Sequence, residues 1–180
     1  MKNNKINWYV VSKEYVQYLQ NFDNKVQNIE YSQRTKPYIG IVLKIDKYEY
    51  YVPISSLKEK HYKMHENIDF LKITTNNKLL SVINLNNMIP IQENNIIRLE
   101  YNDISKYIHF ENDKEKVSYI ALLRKEISQI NKRKEEIAKR ARRLYELKYK
   151  FPDAKISRRC CDFKLLEKKS VEYNKKDFDN

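Results

Sequence analysis

Tyr38-Ile39-Gly40-Ile41-Val42-Leu43-Lys44-Ile45-Asp46-Lys47-Tyr48-Glu49-Tyr50-Tyr51-Val52-Pro53-Ile54 is the stretch that decides the fold. Residues 38–45 form a continuous β-branched and apolar run, the mark of a buried strand. Asp46-Lys47 supplies a turn. Tyr48, Tyr50, Val52 and Ile54 then alternate with Glu49, Tyr51 and Pro53, which predicts a returning strand. Pro53 is expected to end that strand or to hold it at a sheet edge, because it has no N–H to give to a ladder. Gly40, the sole glycine, sits mid-strand and predicts a bulge or a close backbone approach.

Working outward, residues 8–12 read as a short strand, and Ser12 can cap a helix running to about Phe22 with Val16, Leu19 and Phe22 on one face. The polar stretch 23–36 has no periodicity and reads as a long loop, a kind of segment that often carries function. Further strands are expected over 79–85 and 88–91, with another over 96–101, while 103–110 reads either way. From about Asp113 the pattern becomes helical. Ile120, Leu123, Ile127, Ile130, Ile137, Ala141 and Leu144 recur at spacings of three and four, with Lys134 interrupting the stripe and Pro152 ending it. A last helix is expected over 163–173. The fold class predicted is α+β in one domain, 1–180: a β-rich part over about 1–110, a helical part with a long basic helix over about 113–173, and a polar tail over 174–180.

The chain carries 36 lysines and arginines against 24 aspartates and glutamates, a net charge of +12. An AT-rich genome writes lysine and asparagine freely, as in Asn76-Asn77-Lys78 and Asn86-Asn87, but the basic excess goes beyond that bias. It points to an anionic partner, nucleic acid before a membrane surface or an acidic protein. Fifteen tyrosines serve chiefly as core and surface structure, with a few available to stack on unpaired bases. The first residues hold no apolar signal-peptide core, and no run approaches the roughly 18 apolar residues of a membrane span. A cytoplasmic location is therefore expected. Cys160 and Cys161 are adjacent, a geometry that strains a disulfide, so free packed thiols are expected. His61, His65 and His109 lack a ligand spacing, so neither metal nor other cofactor is expected.

Three segments could carry chemistry. Ser55, Ser56, Lys58, Lys60 and His61 follow the second strand, placing two hydroxyls, two ammonium groups and an imidazole within seven residues. Such a set can grip a phosphate, stabilise charge gathering on it and shuttle protons; the same Ser-Ser can equally be a turn or a helix cap. Residues 131–150 hold nine lysines and arginines against three glutamates. Lys132, Arg133, Lys139, Arg140, Arg142 and Arg143 would form a phosphate-binding face there, or a coiled-coil face for a protein partner. Arg158 and Arg159 extend the basic surface or merely sit in a connection between helices.

Four ordered segments together resemble one family. These are residues 36–43 (Lys36-Pro37-Tyr38-Ile39-Gly40-Ile41-Val42-Leu43), 52–58 (Val52-Pro53-Ile54-Ser55-Ser56-Leu57-Lys58), 83–91 (Ile83-Asn84-Leu85-Asn86-Asn87-Met88-Ile89-Pro90-Ile91) and 161–169, beginning Cys161-Asp162-Phe163. They resemble the ToxN/AbiQ family of type III toxin–antitoxin endoribonucleases, most of all its phage abortive-infection members. The resemblance implies a compact, strongly bent antiparallel sheet or barrel like that of Kid/MazF-type ribonucleases, decorated by helices. It implies metal-independent cleavage of single-stranded RNA, the 2′-hydroxyl attacking the adjacent phosphate to leave a 2′,3′-cyclic phosphate. The implied inhibitor is a small repeat-derived RNA antitoxin, cut from its precursor by the toxin and held afterwards in a toxin–RNA assembly. The family's Thr-Ser-x-Lys element falls on Ser55, Ser56 and Lys58, with Ser in place of the first Thr. Its lysine before the first core strand falls on Lys36 and its loop tyrosine on Tyr31. The rival readings are a non-catalytic RNA-binding module and a helical interaction protein.

Overall fold

A computed structural model describes residues 5–28, 30–31, 34–35 and 37–178; the side chains of residues 30, 31, 34, 35 and 174–178 are outside the description. Strands β1 (Asn7–Val11), β4 (Tyr38–Ile45), β5 (Tyr48–Ser55), β6 (Phe70–Thr75), β7 (Lys78–Asn84) and β9 (Ile96–Arg98) form an antiparallel sheet in the order β6-β7-β5-β4-β1-β9. The short β8 (Ile89–Pro90) pairs with β5 off that path, and β2 (Glu30–Tyr31) pairs with β3 (Arg34–Thr35) as a separate ribbon. The sheet is open: β6 and β9 lie at its two ends, and among the described strands no pairing joins them into a barrel.

The β4–β5 hairpin forms where the sequence places it, with Asp46 taking the positive φ of 49° that its turn requires. Gly40 lies opposite Tyr51, and a Cβ there would stand 2.1 Å from the Tyr51 ring, so glycine is needed for close approach. The ladder also slips between Gly40 and Leu43, so the bulge is present too. Pro53 corrects its expectation. It neither ends β5 nor makes it an edge strand. β8 pairs with Tyr50 and Tyr51, and β7 takes over at Ile54 and Ser55. Ile54 N–H points the other way, to the Pro37 carbonyl at 3.2 Å, so Pro53 faces the gap between β8 and β7 where no ladder bond is asked of it.

Strand β6 and its hairpin to β7 were not expected. Asn76 and Asn77 both take positive φ, 45° and 59°, the conformation of a tight hairpin turn, so this asparagine run is turn chemistry. The 23–36 loop likewise contains the β2–β3 ribbon. The 96–101 strand stops at Arg98, and Tyr101–Lys106 forms a 3₁₀ helix.

Helix α1 (Lys13–Gln20) begins at Ser12, whose hydroxyl accepts from the Tyr15 N–H. The long basic helix is two helices, α3 (Asp113–Lys132) and α4 (Lys134–Lys150), meeting at Arg133, which leaves helical geometry at φ −107°, ψ 11°. Leu123, Ile130, Ile137, Ala141 and Leu144 carry the apolar stripe into the core, where they join Trp8, Ile39, Tyr50, Val52 and Ile83. Helix α6 (Phe163–Phe178) packs on β8 and α1, and the connection before it contains the short helix α5 (Lys155–Arg159). Cys160 and Cys161 are free and buried. No helix of the described residues is long and apolar enough to cross a membrane.

Candidate active site

Strand β5 ends at Ser55, and four residues on, helix α2 (Glu59–Lys63) starts with Lys58 at its N-cap. The chain between turns around a cleft of about 540 Å³ whose wall includes Ser55, Ser56, Lys58, Lys60 and His61. The end of β7, the strand paired with β5 there, adds Asn84, and the turn after it adds Asn87.

His61 is held by a reciprocal pair. Its Nδ1 accepts from the Lys58 N–H at 3.1 Å, and its own N–H donates to the Lys58 carbonyl at 2.9 Å. With Nδ1 committed as acceptor, the proton of the neutral imidazole sits on Nε2. The ring is 5% exposed and packs at an angle to Phe70, 5.9 Å between centroids. Burial first, then the ammonium groups of Lys60, Lys58 and Lys72, hold its pKa below the usual histidine range. The imidazole is therefore neutral at neutral pH. Ser56, Lys58 and Lys60 are exposed at the cleft, and Ser55 is half-buried, its Oγ accepting from Asn84 Nδ2 at 3.2 Å.

Lys36 lies outside the described residues, as does the side chain of Tyr31, whose backbone belongs to β2. Asn28 lines the cleft, and Pro37 accepts from Ile54, next to Ser55.

The basic residues divide. Arg133 forks onto Glu66, both N–O distances 2.8 Å, and reaches Glu136 at 2.7 Å. Arg140 bonds Glu136 and the Asn67 carbonyl. Arg159 bonds Asp69 at 2.8 Å, and Arg142 donates to the Lys44 carbonyl at 3.1 Å. These four guanidinium groups are engaged in holding the fold. Lys139 and Arg143 border a second groove, of about 380 Å³, beside Asn67 and Ile68. Lys132 and Arg158 are exposed. The helix cations thus do not line the serine cleft.

Gln27, Asn28, Met64, Asn84 and Asn87 line that cleft without having been singled out as site residues. Neutral amides and a thioether carry no spacing signature. The one available signal is that Asn84 and Asn87 fall inside one of the four ordered segments.

The family of "Toxin ToxN, type III toxin-antitoxin system" matches residues 7–171, a span holding every residue of the cleft wall. The chain belongs to the ToxN family. The endoribonuclease ToxN of Pectobacterium atrosepticum is 30% identical over 174 residues, covering 93% of this chain and 94% of that protein. The structure of AbiQ, a lactococcal anti-phage endoribonuclease of a type III toxin–antitoxin system, matches at a TM-score of 0.78 and 25% identity, over 96% of this chain and 99% of that one. A solved type III toxin, from work on selective toxin inhibition by a non-coding RNA pseudoknot, matches at 0.78 and 25% identity, over 95% and 99%. The likeness to ToxN family structures therefore spans sheet, cleft and helices together.

Proposed function

We propose that the chain, acting as one ribonuclease domain in the cytoplasm, cuts single-stranded RNA without a metal and is inhibited by a small repeat-derived RNA in a phage-defence system. One observation carries the reading: two serines, two lysines and a neutral histidine converge on one cleft in a member of the ToxN family. The 2′-hydroxyl loses its proton to a base and attacks the adjacent phosphorus. The 5′-oxygen then leaves with a proton from an acid, and a 2′,3′-cyclic phosphate remains. Lys58 and Lys60 supply positive charge for the phosphorane, and Ser55 and Ser56 supply hydrogen bonds to its oxygens. His61 is the cleft group whose ordinary pKa lies nearest neutrality, which suits it to move a proton. Lys36 and Tyr31 complete the set that the family resemblance names. The open antiparallel sheet is read as a Kid/MazF-type core on the strength of the family resemblance alone.

The test is cleavage of single-stranded RNA by purified protein in EDTA. Ser55→Ala and Lys58→Ala are each expected to lower the rate by roughly 10²-fold or more, with RNA affinity largely kept and growth inhibition lost. Cleavage that survives both changes removes the site. Activity only on added magnesium or zinc removes the mechanism, and RNA binding without any cleavage leaves a binding module.

A further inference from the structure

The turn after β7 belongs to a segment that the proposed chemistry does not use, yet among the described residues five hydrogen bonds from distant parts of the chain converge on it. Leu85 N–H donates to the Asp69 carbonyl at 2.8 Å, and Cys161 N–H donates to the Asn86 carbonyl at 2.9 Å. Asn86 Nδ2 donates to the Arg159 carbonyl at 3.3 Å, and Asn87 Nδ2 to the Lys25 carbonyl at 3.0 Å. Gln27 Nε2 donates to Asn87 Oδ1 at 2.9 Å. Asn86 and Asn87 thus spend their amides on the scaffold. Asn84 does not. Its Nδ2 donates to Ser55 Oγ at 3.2 Å, inside the cleft.

That contact has a polarity. A serine hydroxyl has a single hydrogen to give and can accept at its oxygen, whereas an amide nitrogen can only donate. With its oxygen occupied by Asn84, Ser55 keeps its own hydrogen, for which the described residues hold no acceptor. We infer that Asn84 is a positioning residue that commits the Ser55 hydroxyl to donate, into the cleft, to a phosphate oxygen of the bound RNA. This rests on the cleft being the ribonuclease site. Without Asn84 the hydroxyl turns among its staggered positions and meets the developing phosphorane charge only part of the time. An aspartate in its place accepts the Ser55 hydrogen while ionised and donates to Ser55 once protonated.

The experiment is steady-state cleavage by Asn84→Ala and Asn84→Asp beside the wild type, from about pH 8 to about pH 5. For Asn84→Ala, kcat is expected to fall about 10-fold with KM held within about two-fold, at a constant ratio to wild type across pH. For Asn84→Asp, kcat is expected to fall about 100-fold at the alkaline end, and its ratio to wild type to climb about 5-fold toward the acid end. In a Ser55→Ala background neither change should lower the remaining rate further. Equal loss in both variants with flat ratios, or full extra loss on top of Ser55→Ala, overturns the inference. So does a loss confined to KM. If Asn84→Asp fails to fold, the split between kcat and KM and the Ser55→Ala background decide the matter with Asn84→Ala alone. A wild type that cuts no RNA fails the ribonuclease reading itself, a result separate from any of these.

Discussion

Glu126 in α3 is 3% exposed, and burial lifts its carboxyl to about 7, against the opposing pull of the nearby Ser81 hydroxyl. Its folded value lies above the ordinary 4.5, so its contribution to stability is fully present below about pH 4.5 and is lost as pH rises through about 7. Glu126→Gln keeps the shape and cannot ionise. The variant is expected to be more stable than wild type by roughly 3 kcal/mol at pH 8 and close to it at pH 5. Thermal melts across that range check this; parallel profiles would show that Glu126 stays ionised in the fold. Gly40 is the contrasting case at this scale. Its role was legible because a lone glycine inside a β-branched run has few other reasons to be there, and Tyr51 supplies the reason found.

Among the elements, the joint between α3 and α4 is where local pattern and tertiary contact compete. The apolar stripe runs through both helices with Lys134 interrupting it, which marks the place but not the break. Arg133 makes the break useful. Its guanidinium ties the joint to Glu66, Glu136 and the Lys72 carbonyl of β6, with the Arg133 and Glu66 side chains 27% and 29% exposed. Glu66 and Asn67 follow α2, so the same cluster steadies the helix that carries His61. Arg133→Ala is expected to cost about 2 kcal/mol in chemical denaturation, more than an ordinary surface change. A loss under a few tenths of a kcal/mol would mean that the helix joint holds without these bonds.

For the molecule as a whole, the +12 charge was legible at once, but which cations face RNA was not. Arg133, Arg140 and Arg159 are each paired with a carboxylate, so reversing them would break the fold before it reported on binding. Lys139 and Arg143, which border the second groove, are the ones to change. The double reversal Lys139→Glu with Arg143→Glu is expected to weaken RNA binding and to reduce the slope of log affinity against log salt by about 1–2, with melting unchanged. An unaltered salt slope would place the RNA on another face.

Local order was determined by the sequence alone. Alternation made the β4–β5 hairpin, spacing of three and four made the helical stripe, Ser12 made its cap, and Ser55-Ser56-x-Lys58 stood out at a strand end. Each of these depends on neighbours within a turn or two, so each has a local signature. Tertiary structure alone decided that Asn84 meets Ser55, that Arg133 meets Glu66, and that β7 relieves β8 at Pro53. The asparagine runs show the same divide: one is a hairpin turn and the other a point where distant segments meet. Those pairings join residues far apart in the chain through single hydrogen bonds or ion pairs. They arise only once the core has packed and brought the partners into reach.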